Sequence, residues 1–376
     1  MSPPRFSHEH FPPDSLDWQS LVPRIGRAHR AIAEYEGVLA GVPNPDVLLA
    51  PLAGQEAVLS SRIEGTRSSL GDILALEANG GGANEADPAL ADAREVLNYQ
   101  VALVEGVALL EKLPLSQRLL RQVHGILMRG VRGGTAAPGE YRGIQNWIGP
   151  PGSTEATATF VTCPAPEIFD AMSAWERYLH SDATEPLVQL AVLHVWFEAI
   201  HPFHDGNGRL GRLTFPLFLV AKSLLRRPNF YLSEYLERRR AAYYDGLLGV
   251  QRDGDWDAWL RFFLDGVERQ GVANTLKARA ILELYDERKD WITGATRSQY
   301  AVRALDYFFQ RPVFRTSDFY RRSGVPKPTA MRFLRLLRDR DMLGELVPSK
   351  GRRPAVLWFP ELMELVERLS DFGDGP

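Results

Sequence analysis

A single cysteine, Cys163, is all that the 376 residues contain. No disulfide can therefore form within one chain, and a reducing compartment is expected. Long apolar runs are missing too. No stretch approaches the ~18 uninterrupted apolar residues of a membrane span. The start, Met1-Ser-Pro-Pro-Arg-Phe, lacks the apolar core of a secretory signal. A cytoplasmic protein without membrane contact is the expectation. Neither sign of charge dominates: the formal net charge is −3, which excludes a global basic field drawing the whole chain to nucleic acid. What is present is ordinary for a globular protein, with 45% hydrophobic and 24% charged residues. The length suffices for two or three domains and a large buried core.

Against this background one run stands out: His201-Pro202-Phe203-His204-Asp205-Gly206-Asn207-Gly208-Arg209-Leu210-Gly211-Arg212. The apolar spacing predicts a helix over 187–200, with Pro186 in its first turn. Pro202 cannot continue that helix, so His201 falls where the chain turns. Residues 205–208 read as a tight turn, because Gly and Asn tolerate positive φ. A second apolar helix is expected from about Arg209. A glycine turn leading into a helix aims free N–H groups at one point, where the helix dipole favours an anion. Arg209 and Arg212 add forked positive charge suited to phosphate oxygens. Asp205 is a hard oxygen ligand fit for Mg²⁺, and His201 is a base able to work near neutral pH. Together these groups describe phosphoryl or nucleotidyl transfer.

The run resembles the signature of Fic proteins, His-x-Phe-x-Asp/Glu-Gly-Asn-Gly-Arg-x-x-Arg, and every fixed position matches. The resemblance implies protein adenylylation: AMP passes from ATP to a Ser, Thr or Tyr hydroxyl of a target protein or of the enzyme itself. By that resemblance His201 deprotonates the hydroxyl and Asp205 holds Mg²⁺, with Mn²⁺ as the alternative. The stretch Gly206, Asn207, Gly208, Arg209, Leu210, Gly211 and Arg212 binds ATP, with Arg212 reaching the γ-phosphate. Upstream, the spacing predicts a helix over 52–64 ended by Gly65. Ser60-Ser61-Arg62-Ile63-Glu64-Gly65 resembles the family's inhibitory motif, which makes Ser60, Glu64 and Gly65 a self-inhibitory element. A glutamate inserted beside the anion nest can pair with Arg212 and fill the γ-phosphate space. Glu64 at a helix C-terminus is disfavoured by the dipole, which speaks for a role beyond the surface.

Other helices are expected over 21–39, from Pro88 (capped by Asp87, after a loop over 79–87) to about Lys112, from Pro114 onward, and over 167–180. His124 reads as a packed or surface residue, His194 as a core one, and His204 as a tolerated loop position. Residues 145–149 and 158–162 look strand-like. By the resemblance they form the flap, which lies over the site and docks the target through Trp147, Ile148, Phe160 and Val161. Of Tyr243 and Tyr244, Tyr244 is favoured beside the adenine and ribose.

Residues 271–296 read as a linking helix. Beyond them, helices over 304–309, 317–322 and 328–340, then strands over 345–347 and 355–359, resemble a winged helix. Its Lys327, Arg332, Arg335 and Arg338 could meet DNA phosphates, or the module could serve protein contact. A homodimer stays open. The expected fold is thus all-α: an N-terminal helical region (1–112), a Fic core with its β-hairpin flap (113–270), a linker (271–300) and a winged-helix module (301–376). Two other readings remain. The core could remove AMP or transfer another phosphate-linked group, or the chain could be a DNA-binding regulator sensing nucleotide through the core.

Overall fold

A computed structural model describes residues 2–42, 44–79, 88–131, 137–182, 185–351, 353–368, 370 and 372. Of the residues read above, Asp87 and loop residues 80–86 lie outside these. The fold is all-α apart from two small sheets. The chain forms two compact units that interleave along the sequence, rather than the consecutive segments read from it.

The first unit takes residues 1–34, 63–65 and 98–272. Its central element is the helix Pro186–Ile200, in which every residue after Pro186 is buried. A helix apolar all round must be enclosed by others. Glu185 starts it, accepting the Val188 N–H at 2.9 Å, with Pro186 in the first turn where no N–H is needed. Two tryptophans pin the neighbours: Trp175 Nε1 donates to Leu193 O (2.9 Å) and Trp259 Nε1 to Ala191 O (3.1 Å). Trp175 belongs to Ile168–Leu179 and Trp259 to Trp256–Thr296. The helix expected from Pro114 begins instead at Gln117, because the Ser116 hydroxyl caps it by accepting from Leu119 N–H.

The hairpin pairs β1 (Trp147–Ile148) with β2 (Phe160–Val161), antiparallel, Trp147 opposite Val161. Both strands are shorter than the pattern suggested. Pro150 and Pro151 end β1, and a 3₁₀ turn, Glu155–Thr157, fills the connection. The Pro-rich N-terminal arm lies along β2. Phe6 N–H donates to Val161 O, and Val161 N–H donates to Pro4 O, both at 2.9 Å.

The second unit takes residues 35–62, 66–97 and 273–376. Here Ala301–Gln310, Thr316–Arg322 and Lys327–Asp339 surround a sheet of β3 (Val313–Arg315), β4 (Gly344–Val347) and β5 (Val356–Trp358), in the order β3-β5-β4, antiparallel throughout. β3 was not anticipated, since three residues carry too little alternation to read. Phe308, Phe314 and Phe319 form its aromatic core, with Phe308 and Phe319 rings 4.9 Å apart. The helix Leu70–Asn79 packs on β3. The linking helix expected over 271–296 is not separate: it continues Trp256–Thr296 for 41 residues, which no proline interrupts.

Candidate active site

His201 ends the helix Pro186–Ile200 in a left-handed conformation (φ 50°, ψ 59°), its N–H bonded to Phe197 O. A non-glycine residue held there is strained, and such strain clusters at functional sites. The ring is half-buried, with Nδ1 enclosed and without a hydrogen-bond partner among the described residues. Burial pushes its pKa down to about 4, although the Glu64 charge pulls the other way, so the imidazole is neutral at pH 7.

The turn after it differs from the expected one. Only Gly206 has positive φ (78°), where it stands as N-cap, and Asn207 already opens the helix Asn207–Ala221. Asn207 contributes through its side chain: Oδ1 accepts Phe203 N–H (2.9 Å) and Nδ2 donates to Phe203 O (2.8 Å). The loop is thereby closed on itself. The N–H groups of the first helical turn have no intrahelical partners, so an anion-binding N-terminus lies beside His201. Leu210 belongs to the core, and its N–H is already bonded to Gly206 O. Arg209 is buried and reaches Asp205 Oδ1 at 3.4 Å. The Asp205 side chain stays 50% exposed.

Arg212 is the most deeply placed charge among the described residues, 1% exposed, and its Nη2 donates to Glu64 Oε1 at 2.6 Å. Residues 63–65 belong to the same compact unit as the nest. Gly65 leaves the helix Ala50–Ile63 with φ 104°, a conformation that glycine alone takes easily. Glu64 packs so closely over Gly208 that a Cβ there would collide with its carboxylate. Burial acts to raise Glu64, but the Arg212 guanidinium outweighs it and holds the carboxyl below its ordinary range. The rest of the Glu64 side chain is open to solvent, 37% exposed, so the pair sits at a mouth. Tyr244, 38% exposed, bounds the same mouth, with its hydroxyl 3.4 Å from Ile63 O. Ser60 is fully buried within the second unit.

Behind Arg212 lies a buried polar group. His194 Nε2 and Tyr243 OH are 2.8 Å apart, as a hydrogen-bonded core histidine requires. Glu198 stands one turn on, its Oε1 without a partner among the described residues. Burial pushes Glu198 up to about 8, so it carries a proton at neutral pH.

Two residues to which the sequence assigned no site role, His124 and Arg142, hold this loop. Gly139 N–H donates to His124 Nδ1 at 2.8 Å, which fixes the neutral tautomer, and Nε2–H donates to Asp205 O at 2.9 Å. Arg142 is buried, and its guanidinium donates to His201 O, Ile144 O, Thr162 Oγ1, Cys163 O and Ile200 O at 2.5–3.2 Å. It thus ties the hairpin to the His201 turn. No periodicity marks a lone arginine in a loop; only its carbonyl partners do. In the hairpin itself Trp147 is exposed and Ile148 half-buried. Phe160 and Val161, expected to dock a target, are each 2% exposed. Their side chains are core, because β2 faces inward and its outer edge carries the arm.

A neutral base, an anion-binding helix N-terminus and a buried arginine thus share one mouth in a helical unit. Such a set is chemically able to hold a phosphate group beside a base. Residues 22–108 match the Fic/DOC family N-terminal model and residues 114–219 the Fic/DOC family model, so the chain carries the paired Fic/DOC family domains. Among curated proteins it is similar to "Protein adenylyltransferase Fic" of Culex quinquefasciatus, 31% identical over 137 residues, covering 35% of this chain and 24% of that protein. The Drosophila virilis protein of the same name is 26% identical over 179 residues, covering 46% and 33%. The chain thus spans about a quarter to a third of these relatives. Among solved structures it is similar in fold to a Fic family protein from Desulfovibrio desulfuricans (TM-score 0.58, 21% identity, 93% of this chain and 98% of that one). A Fic domain containing signaling protein from Bacteroides thetaiotaomicron is also similar (TM-score 0.52, 17% identity, 68% and 97%). No helix among the described residues is long and apolar enough to cross a membrane.

Proposed function

We propose that the chain is a protein adenylyltransferase, moving AMP from ATP to a Ser, Thr or Tyr hydroxyl and held inactive by its own Glu64. The observation that carries this reading is the Glu64–Arg212 pair lying over Gly208, beside His201. In the proposed step the target oxygen attacks the α-phosphorus, the bond to the β-phosphate bridging oxygen breaks, and pyrophosphate leaves. His201 takes the hydroxyl proton through Nε2, since Nδ1 is buried, and its neutral form suits it to accept one. The Asn207–Arg209 N–H groups and Arg209 hold the polyphosphate, and Arg212 takes the γ-phosphate.

A Mg²⁺ ion fits the donor set. Asp205 offers one exposed hard carboxylate, and Mg²⁺ binds through one or two carboxylates plus substrate phosphates rather than a full protein cage. When bound, the ion neutralises phosphate charge. The Asp205–Arg209 contact then holds the carboxylate in place. Target docking is assigned to the hairpin through backbone pairing at β1 and the exposed Trp147.

Glu64 blocks this step in two ways: it neutralises Arg212, and it occupies the γ-phosphate space. ATP then cannot orient for in-line attack. The test is AMP incorporation from labelled ATP by wild type, Glu64→Gly, and Glu64→Gly combined with His201→Ala. Labelling should rise in Glu64→Gly and vanish in the double variant. Equal labelling by wild type and folded Glu64→Gly would sink the self-inhibition.

A further inference from the structure

The second unit carries a surface that adenylyl transfer does not use. Between Arg311 and Arg353 stand twelve Lys/Arg against four Asp/Glu, in a chain whose net charge is −3. We propose that this surface binds double-stranded DNA, with the helix Lys327–Asp339 in the major groove and the β4–β5 loop on the backbone. The arrangement is that of a winged helix.

The helix is two-faced. Ala330, Phe333, Leu334 and Leu337 are buried, while Lys327, Met331, Arg332 and Arg335 are exposed on the opposite side. That spacing puts the basic residues on one outward ridge. The helix Thr316–Arg322 precedes it across a turn in which Gly324 takes φ 70° and Arg303 Nη1 donates to Gly324 O at 3.3 Å. This is the helix–turn–helix layout, whose second helix meets base edges with its N-terminal residues. Three of the four acidic residues fit that polarity. Asp339, Asp341 and Glu345 sit at the far end, where Glu345 pairs with Arg338 at 2.8 Å and ties the helix to β4. The N-terminal two thirds, from Lys327 to Arg335, carries no carboxylate.

Two further groups stand where phosphates would lie. Arg321 and Arg322 are exposed at the end of the first helix. Lys350 and Arg353 are exposed on the β4–β5 loop, where reciprocal N–H to carbonyl bonds of 3.0–3.2 Å between them close a tight tip. Chemistry then selects the polyanion. Arginine forks read guanine O6 and N7, and Met331 can meet a thymine methyl. A protruding helix enters the ~12 Å major groove of B-form DNA, whereas the deep, narrow groove of A-form RNA excludes it. An anionic membrane is a poorer match, since Met331 is the one large hydrophobic side chain on this helix that the structure leaves exposed.

The test uses the full-length protein and a labelled 30-bp mixed-sequence duplex, with the same sequence as double-stranded RNA, read by fluorescence anisotropy. DNA binding at low salt should weaken by about 10²–10³-fold between 50 and 200 mM salt, as for roughly five phosphate contacts. Arg332→Ala with Arg335→Ala should weaken it at least ~10-fold. Lys350→Ala with Arg353→Ala should lower the log–log salt slope by about 2. Thermal unfolding confirms that each variant is folded. RNA should bind at least ~10-fold more weakly. Absence of DNA binding at 50 mM salt, equal affinity for the RNA duplex, or affinity untouched in folded Arg332/Arg335 variants would each overturn the assignment. None of these residues belongs to the transfer site, so the outcome is independent of the reading of Glu64 and His201.

Discussion

His201 and Glu198 lie three residues apart on one helix end, and burial drives them in opposite directions. His201 is pushed down to about 4 and His194 to about 3, whereas Glu198 is pushed up to about 8. Between about pH 4 and 6.5 the unfolded histidines bind protons that the native ones refuse. Their share of stability is full above 6.5 and is lost as the pH falls through 4. Glu198 behaves the other way. The native carboxyl keeps a proton that the unfolded one has released above 4.5, so its share shrinks as the pH rises to about 8. Glu198→Gln should therefore raise the Tm at pH 8.5 by about 3 °C or more, and by less at pH 5. Thermal unfolding at both pH values checks this, and an equal shift at each would refute the protonated state. His201→Ala should cost ~10²–10⁴ in the transfer rate of the Glu64→Gly protein. Calorimetry should find its ATP affinity kept, and undiminished transfer would remove His201 from the chemistry.

The hairpin and the His201 turn are separate in sequence, and Arg142 makes them one element. Its guanidinium serves carbonyls at 144, 163, 200 and 201 as well as Thr162, and its burial without a carboxylate pushes its pKa down to about 10. Asn146 adds a second tie, donating to Phe203 O at 3.3 Å. Arg142→Gln should leave buried carbonyls unsatisfied, at ~1–3 kcal/mol each. It should lower the transfer rate through the loosened turn while ATP affinity holds. Hydrogen exchange at the Thr159 and Val161 amides, which bond to Ile148 O and Pro4 O, should quicken. Unchanged exchange in a folded variant would show that the hairpin does not depend on Arg142. At this scale local sequence was a fair guide where periodicity was long. The helix Pro186–Ile200 was legible from its apolar run, and Gly65 from its place after one. β3 and the arm along β2 were not, because backbone pairing of two or three residues leaves no pattern of side chains.

Across the whole chain, the sequence was read as consecutive segments, and the structure groups it otherwise. Residues 63–65 join the unit of 98–272, while their flanks join the one that includes 273–376. Contacts between distant segments decide such grouping, and local composition cannot encode them. The chemistry of the site was nevertheless present in order along residues 201–212. A base, a hard carboxylate, a glycine turn and two arginines are covalent neighbours there, so their proximity needs no tertiary fold. The sequence by itself therefore determined the all-α class, the helix start after the glycine turn and the place of the candidate base beside it. Only tertiary structure decided what meets Arg212, since Glu64 is 148 residues away. It also decided that Asn207 works as a loop clasp, that His124 and Arg142 hold the turn, and that Phe160 and Val161 face the core. Each depends on partners brought from elsewhere in the chain, and burial then sets the charge state of His201, Glu198 and His194 in a way that residue type alone does not.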